Sequence, residues 1–230
     1  MIRALIFDLD NTLTDFMKMK EAAVVAGVEA MVDMGLPLTA EEARRRVFEI
    51  YDREGIEYQQ VFDQLLSDLY GEVRPDVLAA GIVGYRRARE SVLVLYPHVR
   101  MTLLELLRRG LQLAVLSDAP SLPAWQRLHQ LALEHVFRPV ITFDDTGERK
   151  PSPKPFLKAL EMLGRSPEEV LMIGDWPERD MIGASGVGIR TVFARYGDTF
   201  GTTDSGADFE IDDIQQILGI VDRLNAVEKD

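Results

Sequence analysis

The 230-residue chain contains no cysteine, so disulfides, thiolate catalysis and cysteine-held metal centres are excluded. Histidine is scarce. His98, His129 and His135 are scattered and form no i, i+4 pair of the helical zinc type. Any metal must then be held by carboxylates, which points to a hard cation such as magnesium. Positive charge is the minority sign, with 26 Lys and Arg against 38 Asp and Glu and a formal net charge of -12. That balance argues against general nucleic-acid or membrane-surface binding, but leaves open a small phosphorylated partner, for which local cations decide. Long apolar runs are missing too: none approaches the roughly 20 residues that span a bilayer. The opening apolar run meets aspartates too soon for a signal peptide. A soluble cytoplasmic protein is expected, as a monomer or small homo-oligomer.

What the sequence does contain is ordinary in bulk, 47% apolar and 28% charged, and enough for a core domain carrying a smaller accessory one. Short continuous apolar runs, the mark of strands buried on both faces, occur at Ala4–Phe7, Leu113–Leu116, Val140–Phe143, Val170–Ile173 and Thr191–Phe193. Amphipathic helical segments lie between the later runs, and a final edge strand and helix follow from Ala207. Alternating strands and helices predict an α/β fold with a doubly wound, Rossmann-like parallel sheet. From about Phe16 to Ser91 only helical periodicity is visible, with a capping box at Thr39-Ala40-Glu41-Glu42. The expected organisation is therefore a core of residues 1–15 and 92–230, with a helical cap, 16–91, inserted after the first strand and lying over the sheet's carboxyl end.

Ligands of such sheets bind at the carboxyl ends of the strands, so the polar residues just beyond each run deserve weight. Asp8 and Asp10 follow the first run. A carboxylate at a rigid strand end can attack phosphorus in line, and a second acid can protonate the leaving alkoxide and then activate water. Ser117 follows the second run and could bind a phosphate oxygen. Lys150, in Arg149-Lys150-Pro151-Ser152-Pro153, could offset clustered negative charge; Lys154 is read as solvent-exposed. Asp175 follows Gly174 and could share a cation with Asp8, with Asp180 orienting the site. Taken singly, the acids also read as caps, the serine as a turn and the lysine as an exposed loop residue. Their order along successive strand ends is what favours a site. The run Gly183-Ala184-Ser185-Gly186-Val187-Gly188 follows a helix and reads as packing, not as a dinucleotide fingerprint.

With these residues in place, the chain resembles the haloacid dehalogenase-like hydrolase superfamily over nearly its whole length. Phe7-Asp8-Leu9-Asp10-Asn11-Thr12-Leu13 is similar to the first motif of that family, Leu116-Ser117-Asp118 to the second, Lys150-Pro151-Ser152-Pro153 to the third and Ile173-Gly174-Asp175-Trp176-Pro177-Glu178-Arg179-Asp180 to the fourth. The resemblance implies a Mg2+-dependent phosphatase. Asp8 would be nucleophile and metal ligand, and Asp10 the general acid/base, also ligating through its carbonyl. Ser117, Asp118 and Lys150 would bind the phosphoryl group, Asp175 would hold the metal and Asp180 would support it. The insertion resembles the family's first cap type, which reads the substrate. Where many relatives carry Asn after the second-motif serine, this chain has Asp118, whose side chain is expected to point away from bound phosphate and leave its amide to it.

Rival classes differ at identifiable residues. A 2-haloacid dehalogenase lacks the second aspartate, having no alkoxide to protonate, so Asp10 argues for a phosphatase; a phosphosugar mutase would keep Asp10. Receiver domains share an acid pair, a hydroxyl and a lysine but are shorter and lack the insertion. Arg44, Arg45, Arg46, Arg86, Arg87 and Arg89 read chiefly as solvated helix faces. Tyr51, Tyr58 and Trp176 read chiefly as packing residues.

Overall fold

The structure, a computed structural model, describes residues 1–226. The described residues divide into two compact units, one of residues 1–15 and 94–226 and the other of residues 16–93. In chain order, strand β1 (Ala4–Phe7) leads into four helices, α1 (Phe16–Asp33), α2 (Ala40–Glu54), α3 (Val61–Tyr70) and α4 (Pro75–Val92). Then come α5 (Val99–Arg108), β2 (Gln112–Leu116), α6 (Ser121–Gln130), β3 (Val140–Ile141), α7 (Phe143–Thr146), α8 (Pro153–Leu163) and β4 (Val170–Gly174). A π-helical turn (Pro177–Met181), α9 (Ile182–Gly186), β5 (Arg190–Ala194), β6 (Phe209–Ile211) and α10 (Ile217–Ala226) complete the described chain.

The first unit is built on a six-stranded sheet of order β3-β2-β1-β4-β5-β6, in which every paired strand is parallel. This is the doubly wound α/β core expected from the apolar runs. Strand β1 lies between β2 and β4, where the direction of winding reverses. Such a switch point opens a crevice at the strand carboxyl ends, and Asp8 is the residue that leaves β1 there. Alternate residues of β1 serve opposite faces of the sheet. Ala4 and Ile6 join Ala114, Leu116, Val170 and Met172 in one buried cluster, closed by Phe156, Ala159, Leu160 and Leu163 of α8. Phe7, on the other face, meets Phe137 edge to face at 6.0 Å between ring centres.

One strand is shorter than the apolar pattern suggests. β3 stops at Ile141 because Thr142 and Asp145 form a reciprocal capping box that starts α7. Asp144, the residue just past the apolar run Val140–Phe143, therefore belongs to a helix and accepts the Ser121 N–H at 2.8 Å.

The second unit is a four-helix bundle with its own core. Val24, Val28 and Met31 of α1 meet Val47, Ile50 and Tyr51 of α2, Phe62, Leu65 and Leu66 of α3 and Val77 of α4. It ends at Leu93, not 91, because α4 continues through Ser91 and Val92. Thr39 caps α2 by accepting the Glu42 N–H at 3.2 Å, while the Glu42 carboxylate pairs with Arg46 at 3.3 Å rather than closing the expected box. Arg44 pairs with Glu21 and Glu41, and Arg45 with Glu49, as members of a solvated charge lattice. Tyr51 is buried, with the Lys20 ammonium 4.2 Å from its ring centre.

Phe156 is fully buried between α8 and the sheet. Phe156→Ala should destabilise the core unit by about 3–5 kcal/mol, measured as a lowered urea midpoint; a midpoint equal to wild type would show that α8 does not anchor this face.

Candidate active site

The site begins where β1 ends. The Asp8 N–H still belongs to the sheet, donating to Ile173 O at 2.9 Å, so its main chain is held against β4 just where β1 leaves its two neighbours. The chain then turns sharply. Asn11 takes a left-handed φ of 60°, which Asn tolerates better than most residues, and its N–H bonds to Thr14 O at 2.8 Å. Thr14 Oγ1 donates to Val94 O at 2.6 Å, and Tyr96 N–H to Leu13 O at 3.0 Å. The loop carrying Asp8 and Asp10 is thus tied down at several points.

Lys150 occupies the centre. Its Nζ lies 2.5 Å from Asp8 Oδ1 and 2.5 Å from Asp180 Oδ1, with all three side chains buried. Asp180 Oδ2 accepts the Trp176 N–H at 3.1 Å. Gly174 makes this arrangement possible: a Cβ there would collide with the Asp180 side chain. Asp175, also buried, accepts from Thr12 Oγ1 at 3.0 Å. Thr12 is in turn held by Tyr196, whose hydroxyl donates to Thr12 O at 2.8 Å. Gly197, next along, approaches so closely that a Cβ would strike Asn11 O and come within 3.1 Å of Asp175 Cβ.

The remaining expected residues fall around this centre. Ser117 is buried at the end of β2, its hydroxyl oxygen accepting the Ala119 N–H at 3.2 Å, which keeps its own O–H available as a donor. Asp10 lies close enough to raise the pKa of Asp8 by its charge, and its Oδ2 takes a hydrogen bond from Arg127 Nη1 at 3.0 Å. The Asp118 carboxylate is taken up by two other partners, the Lys150 N–H at 2.9 Å and Arg179 Nη1 at 3.0 Å. Lys154 pairs with Glu148 near the surface. Thr12, Arg127, Arg179 and Tyr196 were not singled out from sequence. Thr12 sits inside the first motif and could have been; Arg127 is one polar residue on an amphipathic helix, with no local pattern to mark it.

Crowded carboxylates dominate the electrostatics. Burial pushes Asp8 upward, Lys150 pulls it down, and the Asp180 and Asp10 charges push it up again, leaving its pKa at about 8. Asp175 is raised well above the ordinary range by burial, then by Asp8 and Asp180, against the Thr12 hydrogen bond and Lys150. Asp180 is raised by burial despite Lys150 and the Trp176 N–H. Burial opposes the charge on Lys150, but Asp180 and Asp8 outweigh it and hold its pKa above that of an ordinary lysine. Asp8, Asp175 and Asp180 thus crowd three buried carboxylates around the one Lys150 ammonium.

That surplus fits a hard divalent cation. Among the described residues no group of three Asp, Glu or His side chains could enclose a metal unaided. Magnesium does not need such a cage, since it keeps several waters and takes only one or two carboxylates alongside substrate phosphate. Asp8 and Asp175 are buried oxygen donors, and the Asp8 charge lies close enough to raise the proton affinity of Asp175; a cation between them would relieve that repulsion.

The chain as a whole is similar to known proteins. The family model described as haloacid dehalogenase-like hydrolase matches residues 2–188. The chain is 33% identical over 233 residues to the glyceraldehyde 3-phosphate phosphatase of Pyrococcus furiosus, covering 100% of this chain and 97% of that one. It is 31% identical over 225 residues to the phosphoglycolate phosphatase of Vibrio cholerae, covering 96% and 97%. The crystal structure of a HAD phosphatase from Thermococcus onnurineus superposes with a TM-score of 0.72 at 26% identity, covering 96% of this chain and 98% of that one.

The raised carboxylates have a measurable consequence. A folded-state pKa of about 8 for Asp8 against 3.8 unexposed to these neighbours means that the folded metal-free protein binds the extra proton between those values. The stability this proton contributes is full below the unfolded value and is lost as pH rises through the folded one. Melting of the metal-free protein should therefore occur at lower temperature at about pH 8 than at about pH 5, and magnesium should recover the loss at the higher pH. A metal-free profile that is flat or rises across this range would contradict the crowding.

Proposed function

Because the chain belongs to the haloacid dehalogenase-like hydrolase family and is a phosphatase, we propose that it hydrolyses small phosphate monoesters through a phosphorylated Asp8. Glyceraldehyde 3-phosphate is the first candidate substrate, on likeness to a phosphatase of that name over this chain's full length. The observation that carries the mechanism is the buried contact of Lys150 with Asp8 at 2.5 Å, at the carboxyl end of β1.

In the first step a carboxylate oxygen of Asp8 attacks phosphorus and the ester P–O bond breaks. The leaving oxygen takes the proton of Asp10 and departs as an alcohol, leaving Asp10 as the carboxylate. In the second step Asp10 accepts a proton from water as that water attacks the acyl phosphate. Inorganic phosphate leaves and Asp8 is restored. The fixed position of Asp8 in the sheet supplies the in-line approach. Lys150, held charged by its neighbours, offsets charge on the transferred oxygens, and the Ser117 hydroxyl and the amide of Asp118 donate to them. Magnesium would be held by the side chains of Asp8 and Asp175 and the carbonyl of Asp10, neutralising the phosphoryl group as charge redistributes. Asp180 keeps Lys150 in place, and Arg127 orients Asp10. The helical unit of residues 16–93 is assigned the part of a cap that selects the substrate.

Asp10 separates this reading from dehalogenation, whose leaving halide needs no proton. With magnesium, the purified chain should release phosphate from glyceraldehyde 3-phosphate, phosphoglycolate or an aryl phosphate. Asp8→Asn should lower kcat roughly 10³-fold or more, and Asp10→Asn about 10²- to 10⁴-fold. Wild-type turnover in Asp8→Asn would remove the nucleophile assignment, and phosphoryl transfer to a sugar hydroxyl in place of water would favour a mutase.

A further inference from the structure

Asp118 stands where a second-motif neighbour of the phosphate would sit, yet carries a negative charge that bound phosphate would repel. The structure gives that charge other work. Asp118 Oδ1 accepts the Lys150 N–H at 2.9 Å, and Oδ2 accepts from Arg179 Nη1 at 3.0 Å. The Arg179 guanidinium lies 3.8 Å from the Trp176 ring centre, which fixes its fork. Arg179 is adjacent in sequence to Asp180, and Asp180 Oδ1 holds the other end of Lys150 at 2.5 Å.

These contacts close a ring. The π-helical turn Pro177–Met181 grips Lys150 twice, at its ammonium through Asp180 and at its main chain through Arg179 and Asp118. Resting on the proposed function, we infer that Asp118 and Arg179 are positioning residues that set where the Lys150 ammonium meets Asp8, and that Arg179 neutralises Asp118 so that its charge does not oppose the substrate. Fixing both ends matters because a lysine side chain is long and loses much rotamer freedom when ordered. With only one end held, the ammonium could follow Asp180 while the main chain of the loop shifted. The pair contributes little to global stability, because its side chains are 35% and 17% exposed. Its effect falls on the placement of a reacting group, where displacements of about 1 Å can cost about 10²-fold in rate.

The test combines turnover with an exchange measurement that needs no turnover. Asp118→Ala and Arg179→Ala should each lower kcat by about 10- to 100-fold with KM within about threefold and the melting temperature nearly unchanged. The double variant should lose no more than Asp118→Ala alone, since both act through one ring. Asp118→Asn, which retains an acceptor for the Lys150 N–H, should recover part of the loss. In Arg179→Ala the Lys150 amide should exchange its hydrogen about tenfold faster than in wild type. Unchanged kcat in Asp118→Ala, fully additive losses in the double variant, or an unaltered Lys150 amide in Arg179→Ala would each overturn the inference. If the wild type released no phosphate, the proposed function would fail, and the amide measurement would still decide the ring.

Discussion

A single buried ammonium organises the catalytic end of this protein. Lys150 sits between Asp8 and Asp180, 2.5 Å from each, in a place where little of the three is open to water. Breaking such a contact by removing one partner leaves an uncompensated charge at a cost of about 3–5 kcal/mol. Neighbouring segments are shaped around this requirement. Gly174 leaves room for Asp180 to fold back, the Trp176 N–H satisfies the second Asp180 oxygen, and Asp118 pins the loop from which Lys150 extends. The ammonium offsets only part of the local negative charge, and the remainder suits the site for a divalent cation and a phosphoryl group.

The sheet converts this electrostatic arrangement into geometry. Residues from the ends of β1, β2 and β4 and from the loop before α8 meet only because β1 lies at the winding reversal, beside both β2 and β4. Each strand delivers one polar side chain at its carboxyl end, and the backbone behind it is held by ladder hydrogen bonds. The far side of the site is closed by the turn after β5, where Tyr196 holds Thr12 and Gly197 lies against Asn11. Rigid positioning of this kind is what nucleophilic attack on phosphorus demands.

Much of this was legible in the sequence. Doubly buried strands write themselves as unbroken apolar runs, so β1, β2, β4 and β5 and the residues leaving them could be read directly. Asp8, Lys150 and Asp180 are brought into contact, and Asp175 lies within electrostatic reach of Asp8. The run Val140–Phe143, three of whose four residues are apolar, suggests a longer β3, but the capping box of Thr142 and Asp145 outweighs that pattern. The partners that tune the site were not legible. Arg127, Arg179 and Tyr196 act across 117, 61 and 184 positions of sequence respectively, and no local spacing records a contact at such a separation. Asp118 drew notice as a departure from the family pattern, but its two partners emerge only in three dimensions.

Asp8 as the atom that takes the phosphoryl group is the claim on which the chemistry rests. Rapid acid quench of the wild-type enzyme during its first turnover, followed by mass analysis of its peptides, tests it most directly. The peptide containing Asp8 should gain the mass of one phosphoryl group on that residue and lose it as turnover completes. A phosphoryl group carried by another residue, or none at any point of a completed turnover, would contradict the account.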